Sequence, residues 1–302
     1  MDPVITVGLD GSAESRTAAL WAAREAALRH RTLRMLHAWI LLSVPEKPAT
    51  DGTAGSDRNY WAKRIVDGAQ LDVHQRFPEL PVVGDIAAED PGPALVAACA
   101  ESEMLVLGSR GMSPIRAFFL GDIGLYVVAR ADRPVVLVRA QEDLPEDTPR
   151  DAAAAGPPPA AEGAVVLCLG LHGPCEDLFA FAFDIAARRG ATLHAVHGRS
   201  LPAQAYAPWG VDPDVAEELA ADARGALGDA VHPWRERFPE VRVRESVYLE
   251  SPARAVAQAA AGAGLLVVGR RRRRPALTPA IGPVLQSALH HAPCPVAVAP
   301  HD

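Results

Sequence analysis

The chain has 302 residues, a formal net charge of −7 at pH 7 and a sequence pI near 5.8. That length accommodates two domains of ordinary size, each with its own core, while the acidic balance argues against bulk binding to nucleic acid or to an anionic membrane surface. The longest apolar runs are strand-length, well short of the roughly 18 residues that span a bilayer, and Met1-Asp2-Pro3 lacks the basic start of a signal peptide, so the expected location is the cytoplasm.

In chain order, Val4 to Leu9 reads as a first strand ending at Asp10-Gly11-Ser12, and Ala13 to His30 has the apolar spacing of a helix. Ser12 is the expected N-cap, with Glu14 in the positive first turn. Leu33 to Trp39 is a second strand; residues 40 to 56, with Pro45, Pro48, Gly52 and Gly55, form a loop; a helix follows from Asp57 to Arg76, stopped by Pro78. Pro81 to Ala87 is a third strand, Pro91 to Ala100 a helix, Met104 to Leu107 a fourth strand, Ile123 to Arg130 a helix and Val135 to Val138 a fifth strand. Strands alternating with helices imply right-handed crossovers and a parallel sheet covered on both faces.

Between the fourth strand and its helix lies Gly108 to Asp122, GSRGMSPIRAFFLGD. Strand, glycine loop, helix is the order of a phosphate site. Gly108 turns the chain off the strand, Gly111 admits close backbone approach, and Gly121 leaves the first N–H groups of the next helix open to an anion. In parallel sheets ligands sit beyond the C-terminal strand ends, where strand order reverses. Asp10, Ala38 and Gly108 all fall at such ends, so a nucleotide is the expected ligand, bounded by Gly8, Leu9, Asp10, Ala38, Leu107, Gly108, Ser109, Arg110, Gly111, Gly121, Asp122, Ile123 and Gly124.

The spacing Gly108, two residues, Gly111, nine residues, Gly121 resembles the ATP loop of the universal stress protein family. So do Val4-Ile5-Thr6-Val7-Gly8-Leu9-Asp10-Gly11-Ser12, similar to the family's opening strand, and Arg133-Pro134-Val135-Val136-Leu137-Val138, similar to its last. The resemblance implies a Rossmann-like α/β fold of the adenine nucleotide alpha hydrolase kind. It also implies ATP or another adenine nucleotide as ligand, with Asp10 at the ribose or a bound divalent ion and the Ala38 backbone at the adenine edge. The sequence departs from the pattern at Asp122 and Gly124, where the family carries hydroxyl residues. A carboxylate about 4 Å from a phosphate opposes it by roughly 1 to 4 kcal/mol. As a helix-start residue, Asp122 also supplies its own anion to the niche. A Mg²⁺ bridging Asp122 to phosphates is the arrangement that would keep the site.

From Ala140 the composition turns to acid, alanine and proline, and residues 141–163 are expected to be a linker between an N-terminal domain, 1–140, and a second, 164–302. The second is a copy of the first. Arg76-Phe77-Pro78-Glu79 recurs as Arg237-Phe238-Pro239-Glu240, and at the same offset Pro91 meets Pro252, Gly108 meets Gly269 and Pro134-Val135 meets Pro295-Val296; one residue less pairs Thr32-Leu33 with Thr192-Leu193 and His37 with His197. A period this long means two copies of a domain rather than a repeat array. The expected elements are a strand to Leu169, a helix from Glu176 to Arg189, a strand from Thr192 to His197, a helix from Asp214 to Arg237, and strands at Val241 to Tyr248, Leu265 to Val268 and Val296 to Ala299, with Pro208-Trp209-Gly210 matching the first copy's loop. The fold expected overall is α/β: two tandem Rossmann-like domains, each a five-stranded parallel sheet with helices on both faces.

The second copy has lost site features. Arg272 replaces Gly111, Pro283 replaces Asp122, Leu285 replaces Gly124, and Gly170, or His172 on realignment, replaces Asp10. Pro283 suits a first helical turn but offers no N–H. The second site is therefore expected to be closed, and Arg270 to Arg274 to be a solvated loop paired with acids. His172, His194, His197, His290 and His291 show no metal-ligand spacing, and Cys99, Cys168, Cys175 and Cys294 read as reduced thiols, three of them on or beside core elements.

Phosphate hydrolysis needs cations and a water-orienting group. With only Lys47 and Lys63, no G-x-x-x-x-G-K-[ST] and just Arg110 and Arg116 in the glycine loop, an efficient ATPase is not expected. The leading expectation is a tandem universal stress protein whose N-terminal domain binds or senses an adenine nucleotide in stress response and whose C-terminal domain is a structural or partner-binding copy. The alternatives are a nucleotide-free interaction protein with both sites decayed, and a very slow ATPase. The last strands, Val135 to Val138 and Val296 to Ala299, are apolar edges expected to pair with each other as a pseudo-dimer, or to build a homodimer.

Overall fold

The computed structural model describes residues 3–40, 54–109, 122–139, 163–171, 173, 175–202, 205–207, 210–272 and 281–302. Most of the first long loop, the glycine-loop residues Arg110 to Gly121, the linker up to residue 162, His172, Pro208-Trp209, and Arg273-Arg274 lie outside the described residues. The chain divides into two compact units, Met1–Glu142 and Asp143–Asp302.

The first unit runs β1 (Val4–Gly8), α1 (Ala13–Arg29), β2 (Thr32–Ala38), α2 (Ala54–Arg76), β3 (Val82–Ala87), α3 (Pro91–Ala100), β4 (Ser102–Ser109), α4 (Asp122–Arg130) and β5 (Val135–Arg139). Its strands lie in the order β5-β4-β1-β2-β3, all parallel. The order reverses between β1 and β4, which is where a parallel sheet opens a crevice. Helices α1 and α2 pack on one face and α3 and α4 on the other. The core is the apolar run of each central strand, with Ile5, Leu33, Met35, Met104 and Leu105 buried.

Ser12 caps α1, its Oγ accepting from Ser15 N at 3.1 Å, and Glu14 stands in the first turn. β4 starts two residues earlier than its apolar run suggests. Ser102 is buried there because its hydroxyl donates to Ala98 O at 2.6 Å and accepts from Thr6 Oγ1 at 2.7 Å, so a polar residue fits the strand at no cost in unmet hydrogen bonds.

The second unit runs β6 (Ala164–Leu169), α5 (Glu176–Arg189), β7 (Leu193–Gly198), β8 (Tyr206–Ala207), β9 (Gly210–Val211), α6 (Pro213–Arg237), β10 (Val243–Tyr248), α7 (Pro252–Ala259), β11 (Ala263–Arg271), α8 (Pro283–His291) and β12 (Val296–His301). Five parallel strands lie in the order β10-β7-β6-β11-β12, repeating the first unit, and β8 and β9 form a small antiparallel ribbon. Each unit is thus the parallel α/β sheet expected from the alternation of strands and helices.

Three features of the second unit differ from the sequence reading. The pattern did not register α7, whose signals are short: Ser251, whose Oγ accepts from Arg254 N, then Pro252 at the first helical position. The β8–β9 ribbon was also unexpected. Finally, Arg270 and Arg271 are strand rather than loop, because β12 runs on to His301 and supplies them with ladder partners: Arg270 opposes Pro300 and Arg271 opposes His301. Among the described residues, no helix is long and apolar enough to cross a membrane.

Candidate functional site

A cavity of about 490 Å³ opens in the first unit at the C-terminal ends of β1, β2 and β4. Of the residues expected there, Gly8, Leu9, Asp10, Ala38, Leu107, Gly108, Asp122, Ile123 and Gly124 line it. Ser109 is buried at the end of β4 and is not among the lining residues. Arg110, Gly111 and Gly121 lie outside the described residues. Six further residues that the sequence reading did not place at the site also line it: Ser12, the N-cap of α1, Glu14 and Ser15 from its first turn, Leu36 from β2, and Pro91 and Leu95 from α3. The reading followed strand ends, whereas these come from strand interiors and helix starts that reach the crevice only once the layers pack.

The inner wall is apolar, formed by the buried Leu9, Leu36, Leu95 and Leu107. Its geometry depends on glycine at two points. A Cβ on Gly8 would lie 2.7 Å from Leu107 Cδ2 and 2.9 Å from Leu95 Cδ2, and one on Gly108 would lie 2.6 Å from Glu14 C and Ser15 N. Gly108 thus lets β4 lie directly against the first turn of α1.

The rim is polar and acidic. The N-termini of α1, α3 and α4 converge on it and would favour an anion. The chain already meets those ends with its own oxygens. Asp10 Oδ1 accepts from Ser12 N at 2.9 Å and from Ser12 Oγ at 2.5 Å, Asp90 accepts from Gly92 N at 3.1 Å, and α4 opens on Asp122 in its first turn. Asp10 therefore both faces the cavity and secures the turn at Gly11, which has φ of +84°. Three carboxylates, Asp10, Glu14 and Asp122, line the cavity. Among the described residues no group of three or more His, Cys, Asp or Glu is placed to hold a metal ion.

His37, one residue before Ala38, donates from Nδ1 to Leu9 O at 2.7 Å, while Leu9 N donates to Leu36 O at 2.8 Å, fixing the β1 end against β2. The second unit repeats this device: His197 Nδ1 donates to Leu169 O at 2.9 Å. Beyond it the second unit diverges. A Cβ on Gly198, the counterpart of Ala38, would lie 2.7 Å from Ala255 Cβ and 2.8 Å from Pro252 Cα, so the start of α7 sits on the strand end. A Cβ on Gly269 would meet the His301 imidazole at 2.6 Å. Arg272 N donates to His301 O at 2.7 Å, its Nη1 donates to Asp177 Oδ2 at 2.5 Å, and Asp302 Oδ2 is 3.9 Å away. The arginine is engaged by acids of its own unit, and α8 begins with Gly282 and Pro283, without a side-chain cap.

Two parallel five-stranded α/β units with a crevice at the strand-order reversal define a tandem Rossmann-like protein. The universal stress protein family matches residues 3–139 and again 164–300, so the chain belongs to that family. It is 33% identical over 307 residues to a universal stress protein of Mycobacterium tuberculosis, covering 98% of this chain and 96% of that protein, and 29% identical over 304 residues to one of Mycolicibacterium smegmatis. Its fold is similar to the crystal structure of a universal stress protein from Archaeoglobus fulgidus, with a TM-score of 0.66 at 14% identity, covering 99% of this chain and 98% of that one.

Proposed function

We propose that this tandem universal stress protein binds an adenine nucleotide in the cavity of its first unit and acts as a binding or sensing module rather than an enzyme. The observation that carries the reading is the cavity itself: about 490 Å³ at the C-terminal strand ends, within the roughly 300 to 1,000 Å³ of small-ligand sites. Its leucine wall suits a flat base, and its converging helix N-termini suit phosphate oxygens. Residues Leu9 and Ala38 would face the base, Asp10 the ribose, and Gly108 with the start of α4 the phosphates.

The three rim carboxylates favour a second reading, a nucleotide-free interaction protein. They oppose a bare triphosphate, so nucleotide binding is expected to need Mg²⁺ or to favour fewer phosphates. Mass spectrometry of small molecules released from freshly purified protein separates the two. An adenine nucleotide at near-equal stoichiometry supports the first; its absence, together with no heat of binding for ATP, ADP or AMP with and without Mg²⁺, supports the second. Release of phosphate from ATP in a purified sample, above that of the Asp10→Ala variant, would reveal slow turnover.

A further inference from the structure

Outside the cavity just described, the second unit holds a groove of about 580 Å³ toward the opposite end of its sheet, lined by Ala164, Thr192, His194, Arg244, Glu245 and Ser246. We propose that this groove binds a small oxyanion, a phosphate or carboxylate group, between His194, Arg244 and Ser246.

The internal duplication carries the argument. In the first unit the same place on the sheet is filled by a built-in ion network. Arg34 Nε and Nη2 donate to Asp85 Oδ2 at 3.0 and 2.5 Å, and Arg34 Nη1 donates to Glu101 Oε2 at 2.9 Å. The strand registers make the positions equivalent: Arg34 opposes Val83 as His194 opposes Arg244, and Leu36 opposes Asp85 as Val196 opposes Ser246. Glu101 corresponds to Gly262 at the offset that relates Gly108 to Gly269. So the second unit replaces both carboxylates, by a serine and a glycine, yet keeps cationic and donor groups at the same spot. The fold accommodates a carboxylate there in one copy and leaves its place to be taken from solution in the other.

The donors converge. His194 Nε2 and Ser246 Oγ are hydrogen-bonded at 2.9 Å, and alternation along β7 and β10 puts His194, Arg244 and Ser246 on one face. Glu245, the acid at the groove, points the other way by the same alternation, where its Oε1 lies 2.8 Å from Arg235 Nη2 and its carboxylate approaches α6 near Gly228. Burial, and then the neighbouring Arg244 charge, lower the His194 pKa below its ordinary 6.5, so the free groove holds a neutral imidazole beside a guanidinium. An arriving anion reverses that balance. It pairs with Arg244 and favours protonation of His194, whose Nε2–H then donates to Ser246 Oγ and turns the hydroxyl proton toward the ligand.

The test is an NMR titration of the His194 ring in the full chain, assigned with His194→Gln. Inorganic phosphate and succinate are added in separate arms, each against sodium chloride at equal ionic strength. At least one arm is expected to raise the apparent His194 pKa saturably, by about half a unit or more. The arm that responds identifies the oxyanion class. Arg244→Gln, a change at an exposed residue, is expected to weaken the response about tenfold or more, the loss of one charge-assisted hydrogen bond. Ser246→Asp restores the acid of the first unit, and is expected to raise the pKa without ligand and to abolish the response. No saturable shift in either arm, or an undiminished response in Arg244→Gln, overturns the proposal.

Discussion

Gly108 and Glu14 are in backbone contact: a Cβ at position 108 would lie 2.6 Å from the Glu14 carbonyl carbon and 2.8 Å from its oxygen. Nothing at that contact is a side chain that can swing aside. The counterpart, Gly269, faces the His301 ring and Leu178 Cδ2, which can. Gly108→Ala is therefore expected to lower stability by about 1 to 3 kcal/mol through overpacking, and Gly269→Ala by less. Urea unfolding of the two variants checks the order, and an equal or larger loss for Gly269→Ala contradicts it.

The two units end their first helices alike but with different residues. His30 follows α1 at φ of 51°, and Gly190 follows α5 at φ of 61°, each backbone N–H bonding carbonyls of the last turn. A residue with a Cβ is strained in that region by roughly 1 to 2 kcal/mol, less for residues such as His that tolerate it. His30→Gly is expected to stabilise the first unit by about 0.5 to 1 kcal/mol, read as a shift in the denaturant midpoint. Destabilisation would mean that the His30 ring contributes more than its backbone costs.

How far the sequence could be read follows from the same physics. The strand cores were legible because Met104 to Leu107 or Val135 to Val138 are buried on both faces and so appear as unbroken apolar runs. Some strand ends were not. Ser102 extends β4 through two side-chain bonds, and Arg270-Arg271 extend β11 only because β12 is there to pair with them. The glycines and Asp10 could be placed at strand ends by topology, but Leu95 and Pro91 reach the cavity through packing of α3, which no local pattern encodes.

Thiol chemistry offers a separate check. Cys99, Cys168 and Cys294 are buried, while Cys175 is half-buried with its Sγ 3.5 Å from Gly173 O. Burial, with the nearby Cys294, pushes the Cys168 thiol from 9.0 up to about 12, and burial raises the Cys175 thiol against the lowering effect of Arg271. A maleimide or iodoacetamide is expected to label only Cys175 in the folded protein, slower than a free thiol at pH 8, and all four cysteines after unfolding. The sign for stability follows: above pH 9 the unfolded chain ionises Cys168 while the folded chain does not. The contribution is thus whole below pH 9 and lost as pH rises toward 12. Labelling of Cys168 in the folded protein at neutral pH would contradict this.

Asp122 is exposed in the first turn of α4 and faces the cavity. Asp122→Ser removes a carboxylate from the proposed phosphate niche and adds a donor, so it is expected to tighten ATP binding about ten- to several-hundredfold, the range set by a unit charge about 4 Å away at dielectrics of 80 to 20. Titration calorimetry with Mg-ATP measures it. If affinity instead falls when Mg²⁺ is present while the fold persists, Asp122 serves as a metal ligand and the repulsion account fails.

The last prediction is that the full chain binds one nucleotide, not two. Ala38 carries a Cβ and lines the first cavity, whereas its counterpart Gly198 has no room for one against Pro252 and Ala255. The His301 ring fills the space beside Gly269, and Arg272 is held by Asp177 and by the His301 backbone rather than left free for a phosphate. Pro283 offers no N–H at the first turn of α8. Losing two or three hydrogen bonds to a charged phosphate, each worth roughly 1.5 to 3 kcal/mol, would weaken even a micromolar site to millimolar or worse. Equilibrium titration is expected to give a stoichiometry of one, and photo-crosslinking with an azido-adenine nucleotide to label a peptide within residues 3–139 alone. A stoichiometry of two, or a crosslink confined to residues 164–300, would reverse the roles of the units.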